Sequence, residues 1–242
     1  MAMAGLHRGR GIGLLYLLVV VTGFFSLAYV PSQIVIANDP SATLVSITSH
    51  EPLYRQGIAA FMVMEIAFLL LGLALYAHFR LVEPQASRIM AALVVASVPL
   101  ALIALTHRLN VLALLTDPEL ALALSAQERR TAALVAMKAY GQGLLVTKLF
   151  WGLWLFPLGY LIVKTKAIPR LLGALLMLGC VGYLIGVFAG VLLGYSGSPL
   201  AAYVRLPASV GEIGTCLWLL LAGIRLPVGK STEKLQASDL SR

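Results

Sequence analysis

Apolar residues recur along the chain in six uninterrupted stretches, each near the 20 or so residues that cross a hydrocarbon core about 30 Å thick. They are about Gly11–Val30, which Pro31 is expected to end, Gly57–Phe79, Ile89–Leu109, a fourth closing near Val163, Leu171–Leu193 and Leu206–Ile224. The polar segments between them carry helix signals of their own. In the first, Asn38-Asp39-Pro40-Ser41 combines a turn with an N-cap, and Leu44 and Ile47 follow at helical spacing. A short helix on the outer surface after span one is expected there. Further on, Asp117-Pro118-Glu119 places a proline in a first helical turn with acids at its positive dipole end. Ser125 and Glu128 then form a capping-box pattern, so helix four should begin near Ala126. From Ala126 to Val163 a continuous helix measures about 57 Å, nearly twice the membrane core. A long helix four projecting outward is preferred over a break at Gly141-Gln142-Gly143, with a bend expected at Pro157. The predicted fold is all-α, a polytopic membrane helix bundle with six transmembrane helices.

Composition narrows the function classes. Charged residues make up 12% and hydrophobic ones 60%, with a mean hydropathy of +0.92, against about 25% charged residues in soluble domains. That excludes a soluble enzyme, a disordered tail and a nucleic-acid-binding domain. The pI of 9.7 does not restore the last, because no basic stripe is interleaved with aromatics. The basic residues report topology instead. With both termini inside, eleven Lys and Arg fall on cytoplasmic segments against four (Arg55, Arg129, Arg130, Arg205) on outer ones. The first apolar run exceeds the 7–15 residues of a signal-peptide core and no small-x-small site follows it, so span one is expected to remain as an anchor. The implied organisation is a basic cytoplasmic N-terminus (1–10), a six-span domain (11–226) and a polar cytoplasmic tail (227–242), in a cytoplasmic (inner) membrane.

Ionisable side chains inside lipid each cost about 2.5–3.5 kcal/mol on insertion scales, so the few present carry information. Glu65 should lie about 12 Å below the outer edge, Glu212 about 9 Å and Lys148 about 8 Å, while Arg108 reaches the boundary with His107 beside it. All sit in the outer half. Two acids and two bases at similar depth suggest pairing across the bundle, and at least one carboxylate within salt-bridge distance of Arg108 or Lys148 is expected. Such pairs could glue helices together, or line a pocket open to the outer face that takes a small polar or ionic ligand. Trp151 and Trp154, one turn below Lys148, would cover a cation if they face inward and would be ordinary packing or interfacial residues if they face lipid. Tyr16, Tyr160 and Tyr203 read as interfacial belt residues.

Catalytic signatures are missing: there is no His-Glu-x-x-His, no Gly-x-Ser-x-Gly and no Gly-rich phosphate loop. The four histidines are scattered over different depths, which argues against haem, and no metal or other cofactor is predicted. Cys180 and Cys216 sit in apolar runs and read as small buried apolar side chains. One packing signal stands out. Gly182, Gly186, Gly190 and Gly194 recur every four residues in span five, forming a face without side chains on which span six or span one is expected to pack. Gly186→Leu should therefore be disruptive.

Several segments resemble a bacterial membrane family known as domain of unknown function 4386. They are Arg10-Gly11-Ile12-Gly13-Leu14-Leu15-Tyr16, Leu53-Tyr54-Arg55-Gln56-Gly57-Ile58, Leu158-Gly159-Tyr160-Leu161-Ile162, Ile168-Pro169-Arg170-Leu171-Leu172-Gly173, and Pro207 through Gly211-Glu212. Together they cover roughly residues 10–226 in order. The resemblance implies a multi-span helical protein with no assigned biochemistry, and an apolar residue where this chain has Lys148. Two readings of function stay open. One is a non-enzymatic membrane protein binding a small polar ligand through Glu65, His107, Arg108, Lys148, Glu212 and Trp151. The other is a structural or regulatory membrane subunit whose partner is another membrane protein or a second copy, and whose charges only pair helices.

Overall fold

The computed structural model describes residues 2–193 and 199–224, with side chains from 9 to 193 and from 203 to 224. Gly194 and the 227–242 tail lie outside the described residues. Every regular element among them is helical, and six are long and apolar enough to cross a membrane: Gly9–Ile34, Glu51–Phe79, Pro84–Thr116, Ala126–Thr165, Arg170–Leu193 and Tyr203–Ala222, numbered here as spans one to six. The protein is a multi-pass membrane protein. Its outward faces are correspondingly apolar. Leu14, Phe24, Ile66, Ile103, Leu192 and Leu221 are all exposed, a pattern that only a lipid solvent tolerates on this scale.

Each span packs against its neighbours in chain order, and span six returns to span one, so the six close into a ring. Two apolar clusters fill it. One, around Trp154, Leu155, Leu158, Leu71 and Leu75, lies toward the end marked by Arg80. The other, around Ile34, Leu44, Phe61 and Leu105, lies toward the end covered by the short helix Pro40–Ser49. That helix is the predicted surface element: Asp39 caps it by accepting a hydrogen bond from Ala42 N at 2.8 Å, and Leu44 and Ile47 are its buried side. The capping box also forms. Glu128 N donates to Ser125 Oγ at 3.3 Å, while Ser125 N donates to Glu128 Oε2 at 2.8 Å.

One expectation is corrected. Pro31 does not end span one, which runs on to Ile34. The preceding turn, Phe25–Tyr29, is a π-turn in which Val30 N donates to Phe25 O five residues back. A proline lacks the N–H of a regular turn and its ring collides with the carbonyl four residues earlier; widening that turn absorbs both problems. Helix four behaves as expected: it starts at Ala126, passes unbroken through Gly141-Gln142-Gly143 and is interrupted at Trp154, between segments Ala126–Leu153 and Leu155–Thr165. Pro157 explains this, since it offers no N–H to the carbonyl of Leu153.

The glycine stripe of span five is only partly within the described residues. Gly182 does meet span six, so closely that a Cβ there would strike the carbonyl oxygen of Val204, and Gly179 meets Ala208 in the same way. Among the described residues Gly186 has nothing within 4 Å of where its Cβ would stand, and Gly190 has only Leu145 near it. The tight seam among the described residues is Gly179 and Gly182; Gly194 and the span-six side chains just before Tyr203 lie outside them. Each step of four residues turns the helix face by about 40°, so a stripe with that spacing winds away from a straight neighbour.

Candidate functional site

The ring encloses a cavity of about 460 Å³ between the two apolar clusters, walled by spans one, two, four, five and six. Helical periodicity places its side chains. On span two, Phe61, Glu65, Phe68 and Gly72 follow at spacings of four and three along the inward stripe, so Glu65 faces the interior. Leu144, Lys148 and Trp151 do the same on span four, and Arg205, Ser209 and Glu212 on span six. Tyr16 of span one and Tyr183 of span five complete the polar part of the wall.

Trp151 and Trp154 both face inward. Trp154 is 2% exposed and meets Phe68 edge-on at 4.9 Å and Tyr16 at 6.3 Å, while Trp151 lies 6.4 Å from Phe61. An aromatic floor thus underlies four ionisable groups: Glu65, Lys148, Arg205 and Glu212. Tyr16, expected in an interfacial belt, is instead buried at 1% exposure, whereas Tyr160 and Tyr203 are exposed.

The expected ion pairs are absent. Among the described residues the salt bridges are Glu51 with Arg55, two partly exposed groups one helical turn apart, and Glu83 with Lys164. Neither Glu65 nor Glu212 joins Arg108 or Lys148. Glu65 is fully buried, and both of its carboxyl oxygens accept no hydrogen bond from the protein; the hydroxyl of Tyr16 is likewise without a partner. Equal depth in the membrane did not bring a carboxylate into salt-bridge distance of either base, because depth says nothing about which way round the ring a side chain points.

Arg108 is the clearest case. It belongs to a second, smaller cavity of about 110 Å³ beneath the Pro40–Ser49 helix. Its guanidinium lies 4.7 Å from the ring of Tyr54 and 5.6 Å from that of Tyr140, and donates to Ser26 Oγ at 3.5 Å. Ser26 Oγ in turn donates to the carbonyl of Gly57 at 2.7 Å, and the bare Cα of Gly57 leaves room for both Arg108 and Val30. His107 is half-buried and lines neither cavity.

Of the six candidates read from the sequence, then, Glu65, Lys148, Trp151 and Glu212 come together and Arg108 and His107 do not. Sequence reading missed Tyr16, Tyr183, Arg205 and Ser209. The spacing Arg205-x3-Ser209-x2-Glu212 was the available signal, obscured because Arg205 was counted as a loop residue. No three His, Cys, Asp or Glu side chains converge among the described residues, and the free thiols of Cys180 and Cys216 are buried.

Comparison with known proteins gives a family but no biochemistry. No solved structure matches the chain. An uncharacterised protein of Archaeoglobus fulgidus is 34% identical over 84 residues, which cover 35% of this chain and 48% of that relative. The matched region thus spans about half the length of the curated relative. Over residues 12–223 the chain matches the family described as a domain of unknown function, DUF4386, and it belongs to that family.

Proposed function

We propose that this protein binds a small polar ligand carrying both a positive and a negative group in the central cavity, which opens toward the end bearing the Pro40–Ser49 helix. The observation that carries the reading is Glu65. A carboxyl group withdrawn from water without a hydrogen-bond donor costs about 1–3 kcal/mol, more if ionised. Acids kept only to tie helices together would be paired, and this one is not. A ligand ammonium would satisfy Glu65, with the faces of Trp151 and Trp154 close by, and a ligand carboxylate or phosphate would lie toward Lys148 and Arg205. The volume of about 460 Å³ falls within the 300–1,000 Å³ range of small-molecule sites. Among the described residues of the wall, no hydrogen bond is seen to join a nucleophile to a base, and the reading is one of binding.

The same proposal fixes an orientation. Both termini lie in the cytoplasm and the Pro40–Ser49 end faces outward from the inner membrane, as the eleven-to-four distribution of basic residues favours. Reporter fusions at residues 40 and 242 should then give opposite sidedness; matching signals would reverse this part.

Native mass spectrometry from mild detergent tests the binding. The wild-type protein should release a retained small molecule that Glu65→Gln loses, while both remain folded by thermal melting. Release of lipid alone, identical in the two proteins, would favour a purely structural role for the intramembrane charges.

A further inference from the structure

We infer that the second cavity, beneath the Pro40–Ser49 helix, is a site for a small monovalent organic anion, a short-chain carboxylate held by Arg108. It is separate from the central cavity and does not depend on the function proposed for that one. Charge comes first. Arg108 is 5% exposed, and among the described residues no carboxylate pairs with it. A buried guanidinium presents five N–H donors; here one reaches Ser26 at the long distance of 3.5 Å, and Tyr54 and Tyr140 flank the group with their rings and hydrogen-bond to it through their side chains, all of them neutral partners. Rings soften a buried cation but do not neutralise it. One guanidinium calls for one negative charge, and its planar fork matches a carboxylate.

The walls decide what the carboxylate is attached to. Apart from Arg108 they are Val30, Pro31, Ile34, Val35, Ile47, Val111 and Met137, with Thr43 and the two tyrosines as the polar exceptions. Thr43 is already engaged, donating to Asp39 O at 2.9 Å and accepting from Ile36 N at 3.0 Å. Inorganic phosphate would find one cation and too few donors for its remaining oxygens. An alkyl body fits these walls.

Size then sets the length. A cavity of about 150 Å³ lined by apolar residues holds a six-carbon ring. The 110 Å³ here therefore matches an anion of propionate or butyrate size. The surface helix contributes Thr43 and Ile47 to the wall.

Thermal melting of the purified full chain in an uncharged maltoside detergent at pH 7 tests this directly. Butyrate at ten times its dissociation constant should raise Tm by about 3 °C, while butanol, butylammonium and inorganic phosphate should not. Decanoate and added phosphatidylglycerol serve as the arms for a longer acid and a lipid headgroup. Arg108→Gln should abolish the butyrate shift. Because that variant removes a buried group and could fail to fold, Met137→Trp provides a second route: it fills the cavity, keeps the charge and should also abolish the shift. No butyrate effect on the wild type, an equal effect of butanol, protection by decanoate or phosphatidylglycerol alone, or a shift that survives in Met137→Trp would each overturn the assignment.

Discussion

Span six has two sides that could hardly differ more. Toward span five it meets Gly179 and Gly182 so closely that backbone touches backbone. Toward spans one, two and four it borders an open volume of about 460 Å³ with ionisable groups in its wall. In lipid the hydrophobic effect gives helices no reason to associate, since acyl chains are as apolar as leucine, and close van der Waals packing has to do it. The comparison teaches that this packing need not be uniform. A seam with no side chains in it can hold two helices in register while the opposite side of the same helix stays hollow and polar.

The largest effect should come from the seam. Gly182→Leu forces a side chain into the backbone of span six at Val204 and should abolish recovery of folded protein, a loss of more than about 3 kcal/mol. Gly186→Leu, one turn on, should melt within about 1 kcal/mol of the wild type in the same detergent assay, because no described residue stands within 4 Å of its Cβ position. Similar melting of the two variants would erase the distinction between seam and stripe.

The cavity side should respond with the opposite sign. Replacing Glu65 by leucine removes an unsatisfied buried carboxyl and should stabilise the protein by about 1–3 kcal/mol while abolishing ligand retention. A destabilised Glu65→Leu would mean that the carboxyl has a partner in the membrane. Ser26→Ala lies between the extremes. It removes the hydrogen bond to Gly57 and the contact to Arg108 that link spans one, two and three, and should cost about 1–2 kcal/mol in chemical denaturation. Arg55→Ala, which breaks the partly exposed pair with Glu51, sets the baseline at about 0.5 kcal/mol or less.

What the sequence disclosed was whatever depends on neighbours along the chain. Twenty-residue apolar runs give the spans; Ser125 with Glu128 gives a helix start; Leu44 with Ile47 gives the buried side of a surface helix. What it concealed depends on neighbours across the bundle. Arg108 and Lys148 stand at similar depth yet belong to different cavities, since depth is counted along a helix and direction is set by its rotation. The glycine stripe was informative only in part, for a related reason. Its spacing was visible, but which of its members meets span six depends on how the two axes diverge. Pro31 misled because its usual consequence, a broken helix, was avoided by one wider turn just before it.

That wider turn has a consequence of its own. By accommodating one residue more than a regular helix would, Phe25–Tyr29 shifts the phase of everything after it by about 100°. Tyr16, Gly23 and Phe24 border the central cavity before or at the shift, and Val30 and Ile34 border the Arg108 cavity after it. One helix thereby serves two sites that a single straight stripe could not face. The segment is read by its count of residues more than by their identity: exchanging Leu27 for another apolar side chain leaves the phase intact, whereas deleting it would turn Val30 away from Gly57 and Arg108 while leaving an apolar run still long enough to span.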